Sequence, residues 1–148
     1  MFINHTITNL PADDKTANAS GYRIGVHGKP EMEDKTMEKK NLDWGNIGFS
    51  YVTTDYRYVS NYKDGKWDEG TLTEDPNVVI NECAGILQYC QECFEGLKAY
   101  TTEDGSIVTF RPDLNAERMM DSCARLEMPQ FPKERFMEAL DKVVKANE

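Results

Sequence analysis

The cysteines are the residues of this sequence whose spacing first suggests chemistry. Two of the four form a Cys-x-x-Cys pair, Cys90-Gln91-Glu92-Cys93, a spacing found in redox motifs and in half of a zinc site. A zinc site needs a second close pair, and Cys83 and Cys123 are forty residues apart. A redox motif of the thioredoxin type should open a helix after a strand. The sequence therefore favours free thiols and no metal site.

Histidine-dependent catalysis is excluded from residues 41–148. Both histidines, His5 and His27, lie in the first forty residues, so Ser–His and Cys–His nucleophile pairs cannot be built in the rest of the chain. A phosphate-binding glycine motif is also absent, because the glycines at 25 and 28 lack a third glycine and a following helix.

The elements that must position functional side chains begin with two predicted hairpins. The β-rich run 56–62 leads through Lys63-Asp64-Gly65-Lys66 and returns at Trp67, while segments 96–101 and 106–110 flank Glu103-Asp104-Gly105. Asp-Gly between such runs is a strong signal for a tight hairpin turn. The sequence predicts two antiparallel strand pairs arranged as a meander.

Two helices are predicted after the hairpins. Pro112 suits a first helical position, and the helix should run to about Leu126 before Pro129. Its apolar face is expected to comprise Leu114, Met119, Cys123 and Leu126. A second helix should begin near Pro132, with apolar residues Phe136, Leu140, Val143 and Val144. Strands followed by helices predict an α+β fold, with two helices packed on one face of an antiparallel sheet.

Composition limits the class of protein. The chain has 148 residues, 39% of them hydrophobic, and a formal net charge of −9, as in a globular protein with one domain. It lacks an apolar run of about 18 residues and a secretory signal, so a cytoplasmic location is expected. The negative charge makes nucleic acid and membrane surfaces poor partners.

Residues 1–40 differ from the remainder of the chain. They carry no net charge, so the whole −9 belongs to residues 41–148, and they have few large apolar residues. We expect a disordered leader, in which only residues 22–26 could form a short strand. Because Met37 would be a natural beginning, residues 1–36 are alternatively an upstream extension of the reading frame.

Two stretches carry a family resemblance. Residues 89–100 read Tyr-Cys-Gln-Glu-Cys-Phe-Glu-Gly-Leu-Lys-Ala-Tyr, and residues 110–119 read Phe-Arg-Pro-Asp-Leu-Asn-Ala-Glu-Arg-Met. From about Leu42 to its end, the chain closely resembles the N-terminal small domain of branched-chain amino acid aminotransferases. These fold-type IV enzymes use pyridoxal 5'-phosphate to exchange an amino group between leucine, isoleucine or valine and 2-oxoglutarate. The first forty residues lie outside the resemblance.

The resemblance implies roles for five residues. Arg118 matches the arginine that binds the cofactor phosphate, for which a planar guanidinium is well suited. Without the motif, an ion pair with Asp113 or Asp121 would be the simpler interpretation. The residues matching the substrate side-chain pocket are Phe49, Tyr89, Phe94 and Gly96. For the aromatic residues the alternative is packing in the core, and for Gly96 the resemblance implies close backbone approach.

The resemblance also implies that this chain lacks its catalytic residue. In the family the Schiff-base lysine lies in a larger C-terminal domain, and none of Lys98, Lys133, Lys142 and Lys145 has the matching context. We therefore expect the chain alone to be inactive and to represent half of an enzyme. Its expected partners are branched-chain amino acids, 2-oxo acids, the missing C-terminal domain and, in the complete enzyme, a second subunit of a homodimer.

Two alternatives remain at this point. Another fold-type IV enzyme, a D-amino acid aminotransferase or an aminodeoxychorismate lyase, would share the fold and the phosphate arginine. A non-catalytic interaction module derived from a truncated aminotransferase would instead use an exposed apolar face to bind a partner. The length of the Phe-Glu-Gly-Leu-Lys-Ala-Tyr match and the region from Trp44 to Trp67 favour the branched-chain enzyme over the other two enzymes. The interaction module is less expected than an incomplete sequence, because the last predicted helix ends without a cap or a polar tail.

Overall fold

The computed structural model describes the backbone strands at residues 5–9 and 21–24, and residues 51–147 with their side chains. The strands are β1 (His5–Asn9), β2 (Gly21–Ile24), β3 (Arg57–Val59), β4 (Tyr62–Lys63), β5 (Lys66–Trp67), β6 (Thr71–Thr73), β7 (Leu97–Thr101) and β8 (Ile107–Phe110). The helices are α1 (Gly85–Tyr89), α2 (Pro112–Arg125) and α3 (Lys133–Ala146). The α+β class is confirmed. Helix α1 was not predicted.

The larger sheet is built around the second predicted hairpin. Strands β7 and β8 pair antiparallel, and Gly105 in their turn has φ 78°, a conformation that glycine adopts without steric cost. The full order is β1-β7-β8-β2. Because β1 runs parallel to β7, the sheet is mixed, and the prediction of a purely antiparallel sheet is wrong.

Strands β1 and β2 both lie within the first forty residues. Strand β2 overlaps the short strand that residues 22–26 allowed, whereas β1 was not expected. The sequence pattern missed β1 because its pairing with β7 joins residues far apart along the chain. The remainder of 1–40 lies outside the described residues, and the division of the chain at residue 40 stays a prediction.

The first predicted hairpin is confirmed, but it does not continue into a meander. Its tip pairs β4 with β5, where Asp64 and Gly65 have φ 52° and 78°, and its base pairs β3 with β6. Between the two ladders, the Asp68 carboxylate accepts hydrogen bonds of 3.0 Å from Ser60 Oγ and from the backbone N–H groups of Asn61 and Gly70. The Asn61 side-chain amide also donates to the carboxylate, at 3.0 Å, and this bond together with the others lowers the Asp68 pKa to about 2. The side chain therefore replaces part of the strand ladder and divides the hairpin.

Helices α2 and α3 follow the predicted bounds closely. Pro112 is the first residue of α2, and a Schellman motif ends it: Glu127 has φ 53°, and the Met128 N–H donates to the Cys123 carbonyl at 2.8 Å. Of the residues predicted for its apolar face, Met119 and Cys123 are buried, whereas Leu114 and Leu126 are exposed. The buried positions of α2 are Pro112, Ala116, Met119 and Cys123.

Helix α3 lies at the centre of the core. Its predicted apolar residues Phe136, Leu140, Val143 and Val144 are all buried. Leu140 and Val144 pack against Ala99 and Ile107 of the larger sheet. Phe136 and Val143 belong to a second cluster with Tyr58 and the buried side of α2. The core therefore fixes α2 next to α3, and the opposite side of α2 remains available to the segment that precedes β7. Within the described part of the chain, no helix is both long enough and apolar enough to cross a membrane.

Candidate functional site

The segment of residues 90–96, called here the motif segment, lies antiparallel along α2. The contacts join Gln91 to Leu126, Cys93 to Cys123, Glu95 to Arg118, and Gly96 to Asn115. An extended chain rises about 3.3 Å per residue, so the five steps from Gln91 to Gly96 span about 17 Å. A helix rises about 1.5 Å per residue, so the eleven steps from Asn115 to Leu126 span about the same distance. The segment therefore stays in contact with α2 over its whole length.

Side chains alternate along the motif segment. Cys93 and Glu95 face α2, with the Glu95 side chain only 5% exposed. Phe94 lies between them and is 80% exposed. An extended backbone directs neighbouring side chains to opposite faces. The segment thus holds the helix with one face and presents an aromatic ring with the other.

Glu95 and Arg118 form a two-bond ion pair. Arg118 Nε donates to Oε1 at 2.6 Å and Nη2 donates to Oε2 at 2.5 Å. Asn115 Nδ2 adds a third bond to Oε2 at 2.8 Å. The paired carboxylate raises the pKa of Arg118 through its hydrogen bonds and its charge. The guanidinium is therefore always charged, and its orientation is set by a carboxylate that is almost buried.

The Arg118 guanidinium keeps donors for a second anion. Glu95 occupies the edge formed by Nε and Nη2, whereas the side chain is 65% exposed. A guanidinium has five N–H donors in a fixed plane, so the Nη1 and Nη2 edge can donate two further bonds to an oxyanion. The arrangement can hold a phosphate or carboxylate group at the surface.

The alternative interpretation of Arg118, an ion pair with Asp113 or Asp121, is wrong. Asp113 instead binds Arg111, with Nε–Oδ1 and Nη2–Oδ2 distances of 2.8 and 2.6 Å, and Arg111 lowers the Asp113 pKa to about 2. Asp121 is exposed. The ion pair of Arg118 joins two parts of the fold rather than two neighbours on one helix surface.

Two of the predicted pocket residues, Phe94 and Gly96, flank Glu95 of this ion pair in the chain. Tyr89 is the last residue of α1 and is 84% exposed, and Phe94 is 80% exposed. Core packing is therefore wrong as the alternative for both rings in the described structure. A Cβ built on Gly96 would meet the Phe94 ring at 3.4 Å, which places Gly96 beside that ring. Phe49 lies outside the described residues.

The cysteines do not form the pair that their spacing suggests. Cys83 and Cys90 are exposed, and the sulfur near Cys93 belongs to Cys123, with Sγ atoms 3.3 Å apart. Burial raises the pKa of Cys123 to about 11, and the hydrogen bond with Cys93 adds to the shift. Within residues 51–147 no cluster of three metal-ligating side chains was found.

Glu95 and Asn115 are the site residues that the sequence analysis missed. Both stand in the quoted motifs, Glu95 next to Phe94 and Asn115 three positions before Arg118. The sequence signal for Glu95 is its charge, because an acidic residue between an aromatic residue and a glycine suggests a polar contact. Its partner is 23 residues away, so no local pattern identified it.

Comparison with curated proteins identifies relatives that match about three quarters of the chain. A branched-chain-amino-acid aminotransferase of Haemophilus influenzae is 57% identical over 109 residues, which cover 74% of this chain and 32% of that protein. One from Helicobacter pylori is 46% identical over the same shares. A methionine aminotransferase of Arabidopsis thaliana is 42% identical over 72% of this chain and 30% of its own length.

The match covers most of this chain but a minor part of each relative. The chain spans about a third of the length of these curated relatives. No family model matches it. The identity nevertheless confirms the resemblance drawn from the motifs: the matched three quarters of the chain are homologous to the corresponding part of the branched-chain-amino-acid aminotransferases.

Proposed function

We propose that this chain is the N-terminal part of a pyridoxal-phosphate-dependent branched-chain amino acid aminotransferase and supplies one wall of its active site. Residues 41–148 would form the small domain. The observation that carries the proposal is the exposed Arg118 guanidinium, fixed on one edge by the nearly buried Glu95. Relatives 57% and 46% identical are named branched-chain-amino-acid aminotransferases.

Arg118 fits the phosphate group of the cofactor. Its free edge offers two parallel donors to a dianion, and no rearrangement of the helix is needed to present them. In an acidic chain with net charge −9, an anionic ligand requires such a dedicated cation. When bound, pyridoxal phosphate supplies the electron sink for amino-group transfer. Arg118 would anchor it, and Glu95 and Asn115 would hold Arg118 in place.

The exposed rings fit the substrate pocket. Phe94 and Tyr89, with Phe49, would contact the branched side chain and exclude water from it, which favours leucine, isoleucine and valine over charged amino acids. Gly96 would let the ligand approach the backbone. A wall of exposed aromatic residues is incomplete alone. The relatives are about three times as long, and we propose that their remaining part has a counterpart that covers this surface and provides the second half of the pocket.

Three lysines of the described helices do not have the environment of a catalytic amine. Lys133, Lys142 and Lys145 each bind a carboxylate, and the carboxylates of Glu117 and Glu138 raise the pKa of the first two. A reactive lysine needs a lowered pKa. We propose that the Schiff-base lysine lies in the part of the protein that this chain does not include, and we expect the 148-residue chain alone to have no transaminase activity.

Fusion to a relative tests the proposal. Joined to the remaining two thirds of the Haemophilus influenzae protein, the chain should retain pyridoxal phosphate through gel filtration and transaminate L-leucine with 2-oxoglutarate. Arg118→Ala should lose the cofactor absorbance, whereas Arg125→Ala, at an exposed position on the same helix, should keep it. Equal cofactor retention by the two variants would remove the phosphate role from Arg118.

The substrate panel separates the alternatives. It should include L-leucine, L-isoleucine, L-valine and, because one relative is named a methionine aminotransferase, L-methionine. Turnover of D-alanine above that of L-leucine would instead assign the fusion to the D-amino acid enzymes. Activity of the unfused chain would refute the expectation that a second domain is required.

A further inference from the structure

We propose that Cys93 and Cys123 form a thiol pair that a small disulfide, such as glutathione disulfide, converts to an intrachain disulfide. The two sulfur atoms are 3.3 Å apart, although the residues are thirty positions apart in the chain. The Cys-x-x-Cys spacing would favour Cys90 as the partner of Cys93, but Cys90 is exposed and its backbone has φ 51°, while Cys123 lies against Cys93.

The geometry requires a small movement to close the bond. A disulfide has an S–S length of about 2.05 Å, so the sulfur atoms must approach by little more than 1 Å. The motif segment lies along α2, and Cys93 packs at the edge of the core cluster that contains Cys123. Cys123 is held in the last turn of α2 and is 5% exposed, whereas Cys93 is half-buried in the segment beside the helix, so the movement falls on Cys93.

The exposure of the two thiols sets the order of the reaction. Cys93 is only half-buried, and its thiolate attacks one sulfur of glutathione disulfide; a mixed disulfide forms and one glutathione leaves as its thiolate. The Cys123 thiolate then attacks the Cys93 sulfur and displaces the second glutathione. Two protein thiols are oxidised, one glutathione disulfide is reduced to two glutathiones, and the two thiol protons pass to the solvent or the released thiolates.

The bond would act on the proposed site through the segment it crosses. Cys93 stands two residues before Glu95, and Cys123 stands five residues after Arg118. A disulfide would therefore tie the segment that orients the Arg118 guanidinium to the helix that carries it. Formation of the bond depends on the sulfur contact alone and not on the proposed function.

Tryptic mapping of the 148-residue chain tests the pairing. Trypsin leaves Cys83, Cys90 and Cys93 in one peptide, residues 67–98, and Cys123 in another, residues 119–125. After incubation with glutathione disulfide and alkylation of free thiols, we expect the two peptides to be cross-linked within a monomer that has lost two hydrogens. The cross-link should persist in the Cys83→Ser/Cys90→Ser variant, which changes only exposed positions, and disappear in Cys93→Ser.

Three results would overturn the proposal. They are a disulfide confined to residues 67–98, which would make Cys90 or Cys83 the partner; a disulfide between two chains; and full alkylation of Cys93 and Cys123 after prolonged oxidation. The double variant keeps the outcome readable even if Cys93→Ser fails to fold, because a monomeric cross-link in it can arise only from Cys93 and Cys123.

Discussion

Alanine substitution of Gly96 distinguishes a pocket glycine from a structural one. Among the residues that the structure describes, a Cβ at Gly96 would meet only the Phe94 ring, at 3.4 and 3.5 Å, and that ring is 80% exposed. The backbone at Gly96 is not in the left-handed region that favours glycine. We therefore expect Gly96→Ala to change the free energy of unfolding by less than about 0.5 kcal/mol.

Gly70 provides the contrasting control. Its φ is +71°, and a Cβ there would lie 2.0 Å from the Tyr58 hydroxyl oxygen, which donates to the Glu69 carbonyl in the core. The left-handed backbone costs about 1–2 kcal/mol with a side chain present, and forced overpacking costs about 1–3 kcal/mol. Gly70→Ala should thus lower the free energy of unfolding by about 2–5 kcal/mol.

Urea unfolding followed by tryptophan fluorescence measures both variants, because Trp67 packs on Phe131 in the folded chain. In the fusion described above, Gly96→Ala should reduce kcat/KM for L-leucine by about tenfold or more, as expected for a methyl group in the path of a substrate. If Gly96→Ala unfolds the chain as readily as Gly70→Ala, Gly96 is a structural residue. If it changes neither stability nor kcat/KM, it does not line the pocket.

Three further predictions follow from the same contacts. The folded chain lowers the Asp68 pKa from 3.8 to about 2, so the ionised carboxylate contributes fully to stability above pH 3.8, and that contribution is lost as the pH falls through about 2. Asp68→Asn should therefore flatten the decline of the urea midpoint between these two pH values. An unchanged decline of the midpoint at acid pH would contradict this. Glu95→Ala should release the Arg118 guanidinium and speed the exchange of its Nε–H with water in NMR spectra, and Glu95→Gln should speed this exchange less. Glu92→Ala, at an exposed neighbouring position, should leave the exchange rate unchanged. The Cys93–Cys123 disulfide closes a loop of thirty residues, so oxidised protein should gain about 3–4 kcal/mol in guanidinium unfolding; a lower midpoint would show that the bond is strained.

Turn and cap chemistry made the local elements predictable. Asp64 and Gly65 in the first hairpin turn, and Gly105 in the second, adopt the left-handed backbone that their residue types favour. Pro112 begins α2 as its missing N–H allows. The apolar periodicity of α3 identified its buried residues, because a helix at the centre of the core is covered on most of its circumference.

Contacts between distant residues were the part that sequence patterns could not supply. The parallel pairing of β1 with β7 joins segments about ninety residues apart, and nothing in either strand specifies the direction. Leu114 and Leu126 fit an apolar stripe on α2 as well as Met119 does. The buried stripe instead passes through Ala116 because α3 packs there, and small side chains give little periodic signal.

The alternation of side chains along the motif segment explains why Phe94, Glu95 and Gly96 are neighbours in the sequence. In an extended strand lying on a helix, adjacent positions must serve opposite faces. Glu95 turns toward α2 and fixes Arg118, which leaves Phe94 facing away from the helix at 80% exposure. A Phe-Glu-Gly sequence therefore couples an arginine-orienting carboxylate to an outward aromatic ring and to a glycine beside that ring. A shift of one residue in the register would bury the ring against α2 and expose the carboxylate, so the Glu95–Arg118 ion pair also determines which residues the surface presents to a ligand.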